Sequence, residues 1–124
     1  MTFEQKLELF TQHYLIGLLW SSEPDDEAET WEIEELADCA TDRSEAECKA
    51  FLYTFGAFLD TQDQLEQAGH DFALERNGHG VGFRDRGEIY GSDWIANRMV
   101  RYAQAVGGVY PYKGDDGALY IDNA

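Results

Sequence analysis

Positive charge is scarce in this chain. Nine Lys and Arg stand against 25 Asp and Glu in 124 residues, a formal net charge of −16 with the histidines neutral. A magnitude of roughly 2–8 is enough to keep a small domain soluble, so the excess needs another reason. It disfavours direct binding to nucleic acid or to an anionic membrane, both of which repel such a surface. Long apolar runs are also missing, and nothing approaches the roughly 18 residues needed to span a bilayer. The opening "MTFEQKLELF" has neither the basic start nor the apolar stretch of a secretory signal. A cytoplasmic location is therefore expected. Cysteine is limited to Cys39 and Cys48, which form no metal motif and no disulfide framework. Both are expected to be reduced and structural, with no metal and no cofactor.

What is present argues for one folded domain over residues 1–124. The chain is 44% hydrophobic and 14% aromatic, enough for a real core. Residues 2–20 have helical spacing, with Thr2 and Gln5 in capping-box register and Phe3, Leu7, Phe10, Tyr14 and Leu18 on one face. A break follows over residues 21–30. Residues 31–40 suit a short helix anchored by Trp31, Ile33 and Leu36. Ser44 and Glu47 form a second capping box, opening a helix expected to end near Asp60. A turn or two of helix over residues 61–68 stops at Gly69. Ser92 and Gly107 bracket a further helix over residues 93–106. The closing "VYPYKGDDGALYID" reads as two short strands around a Gly-Asp-Asp-Gly turn, with Pro111 suited to an edge.

Between these lies "GHDFALERNGHGVGFRDRG". An Asn-Gly pair between alternating apolar residues is a strong short-range hairpin signal. A two-residue turn at Asn77-Gly78 sets Leu74 opposite Val81, Phe72 opposite Phe83 and His70 opposite Asp85. On the other face it sets Asp71 opposite Arg84 and Ala73 opposite Gly82. The expected fold is thus α+β: an acidic helical half, residues 1–68, packed on a small antiparallel sheet of two hairpins with one inserted helix. The second half, residues 69–124, reads as ββαββ. Gly80 and Gly82 would form a bare strip that something large covers, Trp94 or a partner protein being the candidates. Arg98 stands four residues after Trp94, within cation–π reach.

The same register assigns the chemistry. His70 beside Asp85 has the form of a carboxylate-oriented base, yet no nucleophile accompanies it, so no catalytic residue is assigned. A metal site is disfavoured because His70 and His79 fall at opposite ends of the hairpin. The stretch "AGHDFALERNGHGVGFRDRG", the upstream "LLWSS" with acidic residues after it, and the closing "YKGDDGALY" resemble a family of small acidic proteins encoded by tailed bacteriophages and prophages. The resemblance spans most of the chain and implies origin more than mechanism, because the family carries no assigned activity. Ala73 and Arg84 depart from its pattern, in which tryptophan is common at both positions.

Acidity is concentrated. Residues 1–70 carry 17 carboxylates against Lys6, Arg43 and Lys49, and residues 71–124 carry 8 against 6 basic side chains. The candidate partner-binding set is Glu23, Asp25, Asp26, Glu27, Glu29, Trp31, Glu32, Glu34, Glu35 and Asp38. Carboxylates three or four apart on a helix sit about 5–6 Å from one another, on the order of the phosphate spacing along a nucleic-acid strand. Held rigidly, such a row can occupy a groove built for DNA or RNA. Two functions are weighed. One is a non-enzymatic phage anti-defence protein in the host cytoplasm that binds a basic, nucleic-acid-handling host complex, such as a CRISPR effector or restriction enzyme. The other is a small enzyme or anionic-ligand-binding protein using His70, Asp85 and the arginines. A phage accessory protein is a plainer third. The oligomeric state is left open.

Overall fold

The computed structural model describes residues 1–22, 30–80 and 82–124. Helix α1 (Phe3–Ser22) begins as its sequence dictates. Thr2 Oγ1 accepts the Gln5 backbone N–H at 3.1 Å, and Gln5 Oε1 accepts that of Thr2 at 2.9 Å. A 3₁₀ turn, Ile33–Glu35, then leads into α2 (Asp38–Phe55). Here the second capping box fails. Ser44 is buried in the interior of α2, and the Glu47 carboxylate accepts from Arg43 and Arg76 instead of the backbone. The expected short helix over residues 31–40 is likewise replaced by the 3₁₀ turn and the first turn of α2. Helix α2 stops at Phe55, earlier than expected, and a second 3₁₀ turn covers Gly56–Phe58.

The larger correction concerns the first hairpin, which is not formed. Residues Gln62–Arg76 are one helix, α3. Thr61 Oγ1 accepts the Gln64 N–H and Gln64 Oε1 accepts the Thr61 N–H, both at 3.1 Å, a capping box that sets its start. Leu65, Ala68, Gly69, Phe72, Ala73 and Arg76 are buried at helical spacing. Gly69 does not end the helix because it is where α1 crosses closely. A Cβ there would lie 2.3 Å from the Phe10 carbonyl oxygen. The Asn-Gly pair is a helix stop. Gly78, at φ +67°, donates to the Glu75 carbonyl at 3.2 Å, and His79 N–H donates to that of Leu74 at 2.9 Å. This is the Schellman pattern. Left-handed glycine after asparagine serves a hairpin and a helix terminus equally, and the helix wins because it buries Phe72 and Ala73 together. The ββαββ order of the second half is overturned with it.

Helix α4 (Gly87–Tyr90) is a single turn, and α5 (Asp93–Val106) follows. Both expected ends of α5 are found. Ser92 Oγ accepts the Ile95 N–H at 3.2 Å, and Gly107 has φ +86°. Strands β1 (Val109–Lys113) and β2 (Leu119–Asn123) pair antiparallel, with Tyr112 opposite Tyr120 and Pro111 opposite Ile121. Ala37 N–H donates to the Leu119 carbonyl at 2.8 Å, and Arg43 reaches the Ile121 carbonyl and Asn123 Oδ1, fastening β2 to the start of α2. The architecture is a mixed α+β fold, a helical main body against a small two-stranded antiparallel sheet.

Phe51 of α2 sits at the centre of the core. Its ring lies 4.8 Å from Phe10, 4.9 Å from Phe72 and 5.6 Å from Phe83, joining α1, α3 and the segment before α4. Cys48 is buried one turn away, and burial pushes its thiol well above the ordinary range. Cys39 is exposed, and both are free thiols.

Candidate functional site, an acidic face beside an apolar groove

Three charged residues of the 69–87 stretch, Asp71, Glu75 and Arg76, turn inward. Asp71 is fully buried on α3. It accepts from Tyr90 Oη at 2.6 Å and Gln67 Nε2 at 2.8 Å, and Arg86 Nε lies 3.1 Å from Oδ2. Burial, and then the Asp71 carboxylate, pushes the Tyr90 phenol far above its usual range, so it remains a donor. Arg76 is buried one helical turn beyond Phe72. It donates to Gly107 O at 2.8 Å, to Tyr14 Oη at 2.8 Å and to Glu47 Oε2 at 2.9 Å. Burial opposes its charge, but Tyr14 and Glu47 outweigh that and raise its pKa. Glu75, also buried, is met by Arg84 at 3.1 Å. The backbone at Gly82 comes so near that a Cβ there would sit 2.8 Å from the Glu75 carboxylate. No bare glycine strip exists; Gly82 packs on Glu75. These groups are spent on each other, an arrangement that fixes tertiary contacts.

The His70–Asp85 pair expected from the hairpin disappears with it. His70 lies on α3, half-buried, with its ring 6.0 Å from that of Trp20 and Nδ1 3.8 Å from Asp71 Oδ1. Asp85 is exposed in the loop before α4, at φ +59°. His79 is exposed just past the end of α3, and His13 of α1 stands 3.5 Å from Glu66. Among the described residues, no group of three or more His, Cys, Asp or Glu is placed to hold a metal ion. Arg98 does lie over the exposed Trp94 ring, 4.5 Å from its centre.

Along the 3₁₀ turn and the first half of α2, most of the described carboxylates turn outward. Of the ten sequence-selected residues, Glu23, Asp25, Asp26, Glu27 and Glu29 lie outside the described residues. The other five fall in one stretch: Trp31 half-buried, Glu32 and Glu34 exposed around the 3₁₀ turn, Glu35 half-buried with Lys113 Nζ at 4.0 Å, and Asp38 exposed in the first turn of α2. The structure adds residues the sequence reading did not select. Asp42 and Glu45 are exposed on α2, four and seven positions after Asp38, and so continue one helical face. From residue 30 to 48 the chain has seven carboxylates and one basic side chain, Arg43. That arginine is engaged by Glu47 at 3.2 Å and by β2.

Beside this face, between α1 and α2, lies a groove of about 730 Å³. Phe3, Leu7, Thr11 and Leu15 run along it from α1, four residues apart, and Ile33 closes one end. Glu4 and Glu8 line it from α1, and Glu45, Lys49 and Tyr53 from α2. Part of α1's share was legible in the sequence, where Phe3 and Leu7 stand at the N-terminal end of the apolar face that continues through Phe10, Tyr14 and Leu18. Comparison with family models, with curated proteins and with solved structures finds no match for this chain. Among the described residues, no helix is long and apolar enough to cross a membrane.

Proposed function

We propose that the protein is a non-enzymatic binding protein that presents a fixed acidic face to a basic, nucleic-acid-handling partner. In keeping with the resemblance to phage-encoded proteins, the partner is a host complex such as a CRISPR effector or restriction enzyme, and binding inhibits it. One observation carries this reading: Glu32, Glu34, Asp38, Asp42 and Glu45 stand exposed on a 3₁₀ turn and helix, while the nearby arginines Arg43 and Arg76 are bound to Glu47. A row of anions on rigid backbone loses little freedom on binding, so its electrostatic attraction is not offset by ordering a flexible tail. The alternative, a small enzyme or anionic-ligand-binding protein using His70, Asp85 and the arginines, is less favoured because the hairpin that would pair His70 with Asp85 is replaced by helix α3.

The test is affinity capture from a bacterial lysate at about 0.05 M and 0.5 M salt, where screening lengths differ severalfold. Wild type is expected to retain a basic nucleic-acid-binding protein at low salt only, and to displace duplex DNA from it. Charge reversal by Glu34→Lys, Asp42→Lys and Glu45→Lys together should abolish capture, whereas His70→Ala should leave it intact. Capture that survives the triple reversal, or is lost with His70→Ala, overturns the proposal.

A further inference from the structure

We infer that the α1–α2 groove is a docking site for a basic amphipathic helix of the partner, an inference that rests on the acidic-face reading above and makes it specific. Three rows of side chains define the groove. Half-buried Phe3, Leu7 and Ile33 supply its open apolar surface over a buried Leu15, with Thr11 between Leu7 and Leu15; Glu4 and Glu8 form one wall, and Glu45, Lys49 and Tyr53 the other. Residues 3 to 15 of α1 span about 18 Å, the length of roughly twelve residues of a second helix at 1.5 Å each. A helix laid there would put an apolar stripe at positions i, i+3, i+4 and i+7 on the groove's apolar surface, in the helix-in-groove manner. Its flanking positions would meet Glu4 and Glu8 on one side and Glu45 on the other. Three carboxylates against Lys49 make those positions favour Lys and Arg, and Lys49 offers a place for a single acidic residue, which fixes direction. Tyr53 is 72% exposed and stacks on Phe3 at 5.0 Å, a ready aromatic anchor at one end.

Charge complementarity selects this occupant over the alternatives. A second copy of this chain, at −16, would bring its own carboxylates to the same walls, and nucleic acid would bring phosphates. An apolar groove also asks for more than a basic strand of lysines, which has nothing to place on Phe3 and Leu7.

The experiment uses the whole chain and three synthetic peptides of equal length. The first carries Leu and Lys in a helical amphipathic pattern, the second is a scramble of the same composition without the stripe, and the third replaces Lys with Glu. Binding is followed by NMR of the Leu and Ile methyl groups and by titration calorimetry at low salt. The first peptide is expected to bind one to one, shifting Leu7, Leu15 and Ile33, and the scramble to bind at least tenfold more weakly. The acidic peptide should not bind. Tyr53→Ser, at an exposed ring where the fold tolerates change, should weaken the first peptide about tenfold, as should Glu8→Lys with Glu45→Lys. Equal binding of the scramble, or shifts confined to the Glu34–Asp42 face, overturns the groove while leaving the acidic-face proposal standing. Failure of both basic peptides at low salt overturns both.

Discussion

Two regions of this molecule use the same side chains to opposite ends. In α3 and the loop after it, Asp71, Glu75 and Arg76 are buried and each meets an opposite charge. Along the 3₁₀ turn and α2, Glu32, Glu34, Asp38, Asp42 and Glu45 face water with few cations near them. The difference is one of pairing, and it follows from the scarcity of arginine. A chain with nine basic residues that commits Arg76, Arg84 and Arg86 to its own carboxylates has little left to neutralise its surface. The densest cluster of motif residues is therefore the part that builds the fold. The plainer acidic stretch is the part free to meet another molecule.

The contrast can be broken most forcefully at Arg76. Replacement by Ala leaves Tyr14 Oη and one oxygen of the half-buried Glu47 without their donor, Arg43 remaining on the other oxygen, and truncating one partner of a buried pair costs about 3–5 kcal/mol. Chemical denaturation should show that loss; an effect below about 1 kcal/mol would mean that the inward charges are not structural. Gly69→Ala comes next. Its methyl would be driven against the Phe10 carbonyl and the Tyr14 amide, 2.3 and 2.9 Å away. Overpacking of that kind exceeds the roughly 1 kcal/mol of helix preference that alanine brings, and a net loss of about 2 kcal/mol is expected in thermal unfolding. Smallest is the effect of the outward charges on the fold. Glu34→Lys, Asp42→Lys and Glu45→Lys should each change stability by less than about 0.5 kcal/mol. A larger loss in any of them would assign the acidic face to folding, and the two regions would no longer differ.

What the sequence made legible was local. The Thr2–Gln5 box, the Ser92 cap and the strands around Gly-Asp-Asp-Gly need only near neighbours, and each is found where the spacing puts it. Misreading came where a signal has two physical solutions. Asn77-Gly78 provides a left-handed turn that closes a hairpin or ends a helix, and Phe72 and Leu74 fit a period of two as well as part of a helical turn. Only the approach of α1 at Gly69 and the tie from Asn77 Oδ1 to the Val109 N–H decide between them, and both are tertiary. Ser44 and Glu47 had the spacing of a box, but Glu47 is claimed by Arg76, 29 residues away. The site followed the same division. Glu32, Glu34 and Asp38 were evident from their density. Glu4 and Glu8 join Glu45 only after two helices separated by a long connection have been laid side by side.

The hairpin's two outer edges bear on how the molecule behaves in company. Along β1, the Val109 N–H is taken by Asn77, and Pro111 has no N–H to give. Along β2, the Leu119 carbonyl is held by Ala37 and that of Ile121 by Arg43. A strand arriving from a neighbouring molecule finds some of the hydrogen-bonding positions on either flank blocked or already filled. Crowding this protein is thereby less able to thread it into fibrils through its sheet.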